Sequence, residues 1–316
     1  MKTNKICILI IVVSFILFSC NSISNKSTPP APEKVEKAIQ NALQWIENHP
    51  ESFTDGQFLE ISEGIVMFYV LYKHCKSRPH AYFREQIQKR LELLASNPAY
   101  KITPQDYTIF LAISYIMKKL DLPLLDYDTI IKEVMLEDPL LYPSYHITTC
   151  IWNHVFLERL GYTPQNSFDE LISQSTFSKE FIYRRLLKAL QGKFDKRSID
   201  HIGLTIYNIT HEIFCLTDFG EISPSVEILI TQKDFYSKLF EESLKWAIKA
   251  KHIDLLGEII MCGKILNMEE SLPSLPRAIN FILSSQESDG SFGITNPSRA
   301  NAFRHGIMVV LMALCM

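Results

Sequence analysis

Six stretches of this chain read as helices with no wet face, and each follows a helix that has one. The apolar set covers 63–75, 106–118, 144–159, 203–219, 252–267 and 303–315, and the amphipathic set covers 33–47, 82–95, 126–136, 179–191, 235–250 and 274–285. In 33–47, Val35, Ile39, Leu43 and Ile46 form a stripe opposite Lys34, Glu36, Lys37 and Glu47. In 179–191, Ile182, Leu186 and Leu190 stand against Glu180, Arg184, Arg185 and Lys188. A helix that is apolar all round must be buried, in a core or in a membrane. These six are short, and most are interrupted by charge or histidine, so they read as core helices. Period-two alternation is hardly seen, and Gly and Pro fall mostly at boundaries. The fold class is all-α.

Six amphipathic helices, each followed by a buried one at roughly 40–60 residue spacing, are the pattern of a repeat architecture. Buried helices forming an inner ring and amphipathic helices an outer ring would make an (α/α)6 toroid of six outer/inner hairpins. An open superhelical stack is the alternative. A solenoid would show more uniform repeat lengths and a wet face on both helices of each pair, so the closed ring is expected over residues 33–316 as a single domain. Residues 38–58 and 278–292 share Ala-Ile, an Asn, a Leu and then Asp-Gly-x-Phe after a helix. They flank the first and last outer helices, which a closed ring places side by side.

The N-terminus reads as an export leader. Lys2 and Lys5 precede an apolar run at 6–18, which is too short for a span of about 20 residues and has the length of a signal core. Leu17-Phe18-Ser19-Cys20 resembles the lipobox of bacterial lipoproteins. That resemblance implies a signal peptide over 1–19, lipid attachment at Cys20, and a membrane partnership through the lipid anchor. Asn21, standing where retained lipoproteins carry Asp, favours the outer membrane of the cell envelope. Residues 20–32 are rich in Ser, Asn and Pro and read as a flexible tether.

Losing Lys2 and Lys5 with the leader moves the formal charge from −3 to about −5. No basic run exists, so no nucleic-acid partner is expected. Cys75, Cys150, Cys215, Cys262 and Cys315 are odd in number, form no CxxC and sit in apolar runs, which argues against a disulfide framework.

Gln286-Glu287-Ser288-Asp289-Gly290-Ser291-Phe292 resembles the Q-x-x-D-G-S-F/W signature of the terpenoid cyclase and protein prenyltransferase toroids. The resemblance implies the toroid and no particular substrate, since the acidic motifs of cyclisation chemistry are absent. In it, Asp-Gly makes a tight turn and the aromatic wedges between helices. Thr210 to Gly220 is similar to the T-H-x-x-F-x-x-T-D-F-G signature of an uncharacterised bacterial helical lipoprotein family of about this length.

Polar groups on helices that should be buried are costly without partners, so they point to a central cavity. On 203–219, Tyr207, His211, Cys215 and Asp218 fall on one stripe. On 144–159, His146, Cys150 and Asn153 share a face, with His146 in the first turn. Arg304 and His305 begin the last inner helix. Parallel inner helices would open His146 and His305 onto the same mouth. The candidate site is therefore His211, Asp218, His146, His305 and Tyr207. The prenyltransferase resemblance would put zinc ligands at the starts of two inner helices, where Asp254 and His305 stand, but the Cys of that set is Leu256 here. No metal and no cofactor are expected.

Two classes of function remain. One is a binding protein that takes a peptide, glycan or protein partner. The other is an enzyme with its site in the cavity, a polysaccharide lyase or hydrolase before a prenyltransferase-like one. Of Trp45, Trp152 and Trp246, two lie on outer helices, which offers few platforms for a glycan. Binding is the favoured reading.

Overall fold

The computed structural model describes residues 28–50, 58–96, 106–122, 129, 131–132, 147–164, 166–174, 196–222, 233–292 and 300–316, with backbone alone over 196–202 and 300–303. It is predominantly helical, with no strand among the described residues and one isolated bridge between Gln286 and Phe292. The helices are α1 (Pro32–Asn48), α2 (Phe58–His74), α3 (His80–Ala95), α4 (Tyr107–Leu120), α5 (Ile147–Leu160), α6 (Phe168–Gln174), α7 (Lys196–Leu216), α8 (Lys233–Ala250), α9 (Ile253–Ile265), α10 (Leu275–Ser284) and α11 (Ala300–Cys315). Cys20, the leader, most of the tether and the amphipathic stretch at 179–191 lie outside the described residues. So do most of 126–136 and His146.

The two kinds of helix are distinct in burial. On α2, 11 of 17 residues are buried, and on α9, 10 of 13, whereas α1 buries 6 of 17 and α3 buries 5 of 16. The amphipathic helices thus turn one stripe inward: on α1 it is Ala38, Ile39, Ala42, Leu43, Trp45 and Ile46. The apolar helices α2, α4, α5, α7, α9 and α11 pack in sequence, each on the next, and α11 packs on α2. Outside them, α1 packs on α11, α3 on α2, and α8 and α10 on α9. No described helix is long and apolar enough to cross a membrane.

The first and last amphipathic helices do meet. Gln286 Nε2 donates to the Ala38 carbonyl at 2.9 Å, and Asn41 donates to the Gln286 side chain at 3.4 Å. Asp289 accepts from both the backbone N–H and the hydroxyl of Ser291, which closes the turn. Gly290 has φ +95 and faces the Asn41 carbonyl so closely that a Cβ would overlap it. Phe292 is buried behind the turn. The Asp-Gly-Ser-Phe motif is a clasp between the two ends of the folded chain.

α7 begins seven residues before the apolar run and stops earlier, at Leu216, because Asp218, Phe219 and Gly220 all take positive φ. Thr217 donates to the Ile213 carbonyl, and the chain turns back toward α2. Asp218 is completely buried there. Its Oδ2 lies 2.8 Å from Lys73 Nζ and accepts from the Tyr115 hydroxyl at 2.7 Å, with Arg159 at 4.0 Å from its other oxygen. His74 bonds the Phe219 carbonyl at 2.7 Å. Cys75, Cys150, Cys215 and Cys262 are buried, and Cys315 is partly so; none is bridged.

Candidate functional site

A cavity of about 270 Å³ lies where the six apolar helices meet. Each contributes side chains: Glu63 and Met67 from α2, Thr108 from α4, Trp152 from α5, His211 and Phe214 from α7, Glu258 and Met261 from α9, and His305 and Val309 from α11. Phe219, held by the turn after α7, completes one wall and stacks on Phe214 at 5.7 Å. On α2, α4, α5, α9 and α11 the lining residues begin within the first turns, with half-exposed Leu59 at the start of α2. Most of the wall is apolar, and the ionisable groups Glu63, His211, Glu258 and His305 gather on the side formed by α2, α7, α9 and α11.

Two histidines carry that side. His211 Nε2 is 3.1 Å from Glu258 Oε1, and the Thr210 hydroxyl donates to the other oxygen of the same carboxyl. Trp152 donates its ring N–H to the His211 carbonyl at 2.8 Å, which ties α5 to α7 beside the cavity. His305 uses both ring nitrogens: Nδ1 lies 3.3 Å from Glu63 Oε2, and Nε2 lies 3.5 Å from Asp254 Oδ1. Tyr207 donates its hydroxyl to Asp254 Oδ2. Burial opposes charging of the His305 ring, but the Glu63 contact and the nearby Asp254 and Glu258 carboxyls outweigh it and push its pKa up to about 9. His211 is also raised, Glu258 prevailing over burial. Burial beside Asp254 and Glu258 drives the Tyr207 phenol far upward, so it stays a hydrogen-bond donor.

The approach of α9 to α11 depends on one small residue. A Cβ on Gly257 would lie 2.9 Å from Val309 Cγ1 and 3.3 Å from the Val309 carbonyl carbon and oxygen. Without it the two helices come close enough for Asp254, Glu258 and His305 to face one another. Their ligand-type atoms all lie within 4.8 Å of one another, so these three residues could hold a metal ion.

Of the residues chosen from sequence, the structure brings His211, His305 and, through Asp254, Tyr207 together at this cavity. Asp218 is elsewhere, in the Lys73 and Tyr115 cluster after α7, because the helix ends before it and the stripe does not continue. His146 lies outside the described residues. Sequence reasoning missed Glu63 and Glu258. Glu258 stood out as an acid inside Leu255-Leu256-Gly257-Glu258-Ile259-Ile260, by the same argument that selected His211. Glu212, also overlooked, is buried and accepts from the Thr148 hydroxyl at 2.8 Å, a second bond between α5 and α7.

The family model of a domain of unknown function (DUF6895) matches residues 154–306, a span that includes His211, Asp254, Glu258 and His305. No curated protein and no solved structure matches the chain.

Proposed function

We propose that this chain is a lipid-anchored (α/α)6 toroid of the bacterial cell envelope, tethered through Cys20, that holds a small, mainly apolar ligand in its central cavity. Support for the ring is the order of packing: the six apolar helices contact one another in sequence, the last contacts the first, and the first and last amphipathic helices meet at the clasp. The observation that carries the binding role is the convergence of His211 and His305, each paired with a carboxyl, on one apolar cavity. At about 270 Å³ that cavity is at the lower edge of the roughly 300–1,000 Å³ usual for small-molecule sites. A peptide, glycan or protein partner would enter it with a single end group. An apolar body with one polar end fits the wall and its polar side.

Trp152 lines this site and reports on it once Trp45 and Trp246 are replaced by Phe. Titrating the chain with six- to eight-carbon alkanols, alkylamines and alkanoates should give a saturable change in Trp152 emission for at least one series. Thr149→Phe, which fills the cavity, should abolish it. Unsaturable responses, or responses that survive Thr149→Phe, would remove the reading.

An enzyme is the second reading, favoured by the His211–Glu258 pair, since an imidazole held by a carboxyl is the arrangement of a general base. A His211→Ala variant that keeps ligand affinity and loses turnover would establish it.

A further inference from the structure

We propose that Asp254, Glu258 and His305 bind one Zn2+ ion, open on its remaining side to the central cavity. This rests on the cavity being a ligand site and names what holds the polar end of that ligand. Zinc takes imidazole nitrogen and carboxylate oxygen at about 2.0–2.2 Å in tetrahedral geometry, so neighbouring ligand atoms lie roughly 3.4 Å apart. His305 Nε2 and Asp254 Oδ1 are 3.5 Å apart. That is long for a hydrogen bond and right for two ligands of one ion. Asp254 Oδ1 is a buried oxygen that makes no hydrogen bond, while Oδ2 of the same carboxyl takes the Tyr207 hydroxyl. An acceptor whose nearby His305 nitrogen stands 3.5 Å off is poorly satisfied, and a cation between the two would satisfy it.

The outer contacts point the same way. Metal-binding histidines almost always give their second ring nitrogen to a carboxylate or carbonyl, which fixes tautomer and ring orientation. Glu63 stands in that position on His305 Nδ1, leaving Nε2 toward Asp254. The Tyr207 hydroxyl orients Asp254, and the Thr210 hydroxyl and His211 orient Glu258. A set of one nitrogen and two oxygens suits Zn2+ or Co2+ better than Mg2+ or Ca2+, which prefer six or more oxygens. Three protein ligands leave the fourth position of a tetrahedral ion open, as in sites where zinc binds an exogenous donor. The ligand class is then a small apolar molecule with a carboxylate or thiolate end.

The test uses the full chain in detergent, stripped with EDTA and re-equilibrated with Zn2+ or Co2+. Metal analysis should find one ion per chain, Co2+ should give a visible absorption band, and Zn2+ should raise Tm. His305→Ala and Asp254→Asn should each weaken uptake at least 100-fold, and Glu63→Gln about 10- to 100-fold. His80→Ala, on the surface, should leave it unchanged. Melting in EDTA separates lost folding from lost metal. Uptake well below one ion, uptake that persists in His305→Ala, or preference for Mg2+ over Zn2+ would overturn the site. Alkanoate or alkanol binding in EDTA, read from Trp152, distinguishes the two proposals: if it persists without zinc uptake, only the metal site fails.

Discussion

Lys73 Nζ lies 2.8 Å from Oδ2 of Asp218, joining the last turn of α2 to a carboxyl with no exposure at all. The same lysine reaches the Asp218 carbonyl and Glu221, so one cation fastens the whole turn that ends α7. Removing one partner of a buried pair leaves the other charge without compensation, which costs about 3–5 kcal/mol. Lys73→Met is expected to lower stability by about 3 kcal/mol in urea denaturation, the low end because Tyr115 and Arg159 remain. A loss under about 1 kcal/mol would show that the pair does not hold the turn.

Acid should loosen this region in two stages. His74, bonded to the Phe219 carbonyl, has its pKa lowered by burial, with the Lys73 charge adding to it. Burial would raise the Asp218 carboxyl, but the contact with Glu221, the Lys73 ammonium and the Tyr115 hydroxyl bring it below its usual range. A group whose folded pKa is depressed contributes stability above its unfolded value and loses it as pH falls through the folded one. Stability should therefore fall first below about pH 6.5, from His74 together with His154, whose pKa burial also lowers, and again below about pH 3.9, from Asp218. His74→Gln should shrink the first stage, leaving the part due to His154, and spare the second in denaturation curves taken from pH 8 to 3.

How much of this was legible in the sequence depends on what each signal measures. Hydrophobic periodicity reports which helix faces leave water, so the alternation of apolar and amphipathic helices placed α1, α3, α4, α5, α8, α9, α10 and α11 within a few residues, and α2 with its start five residues late. It is silent about backbone sign. The reading ran the stripe of Tyr207, His211 and Cys215 on to Asp218, whereas positive φ at Asp218, Phe219 and Gly220 ends the helix first. The rule that buried polar groups mark a cavity found His211 and His305. Among acids it picked out Asp218 and passed over Glu258 and Glu63, which determine how those rings are held. The Thr-His signature around 210–220 has two jobs that sequence could not separate. Thr210 and His211 face Glu258, while Thr217 to Gly220 build the turn onto α2.

The proposed lipid anchor is tested upstream of all this. A Cys20→Ser precursor should not be acylated, and any remaining membrane attachment should rest on the uncleaved leader alone. Metabolic labelling with a palmitate analogue and fractionation read both. Full acylation of the serine variant would show that attachment lies elsewhere.

The clasp between α10 and α1 rests on a glycine for two separate reasons. Gly290 has φ +95, which L side chains rarely adopt, and a Cβ would overlap the Asn41 carbonyl oxygen. Gly290→Ala should cost about 1–3 kcal/mol. Hydrogen exchange should rise at the N-terminal half of α1, where Gln286 holds the Ala38 carbonyl. If the loss were confined to the turn, with α1 unchanged, the clasp would not be joining the two helices.

Gly257 offers the sharpest separation of packing from chemistry, because it sits on α9 between Asp254 and Glu258 and faces Val309, one turn beyond His305. Gly257→Ala places a methyl 2.9 Å from Val309 Cγ1 and 3.3 Å from its backbone. Overpacking of this kind typically costs about 1–3 kcal/mol, and relief here means moving α9 away from α11. That movement separates Asp254 and Glu258 from His305, so zinc uptake should weaken by more than the stability loss explains. Val309→Ala removes the side-chain clash and leaves the backbone one, so the double variant should recover stability in part, a coupling of about 0.5–3 kcal/mol between residues in contact. Metal affinity should recover with it. Additive stabilities would mean that Gly257 and Val309 do not set the spacing. Recovered stability without recovered metal affinity would mean that the spacing does not set the site.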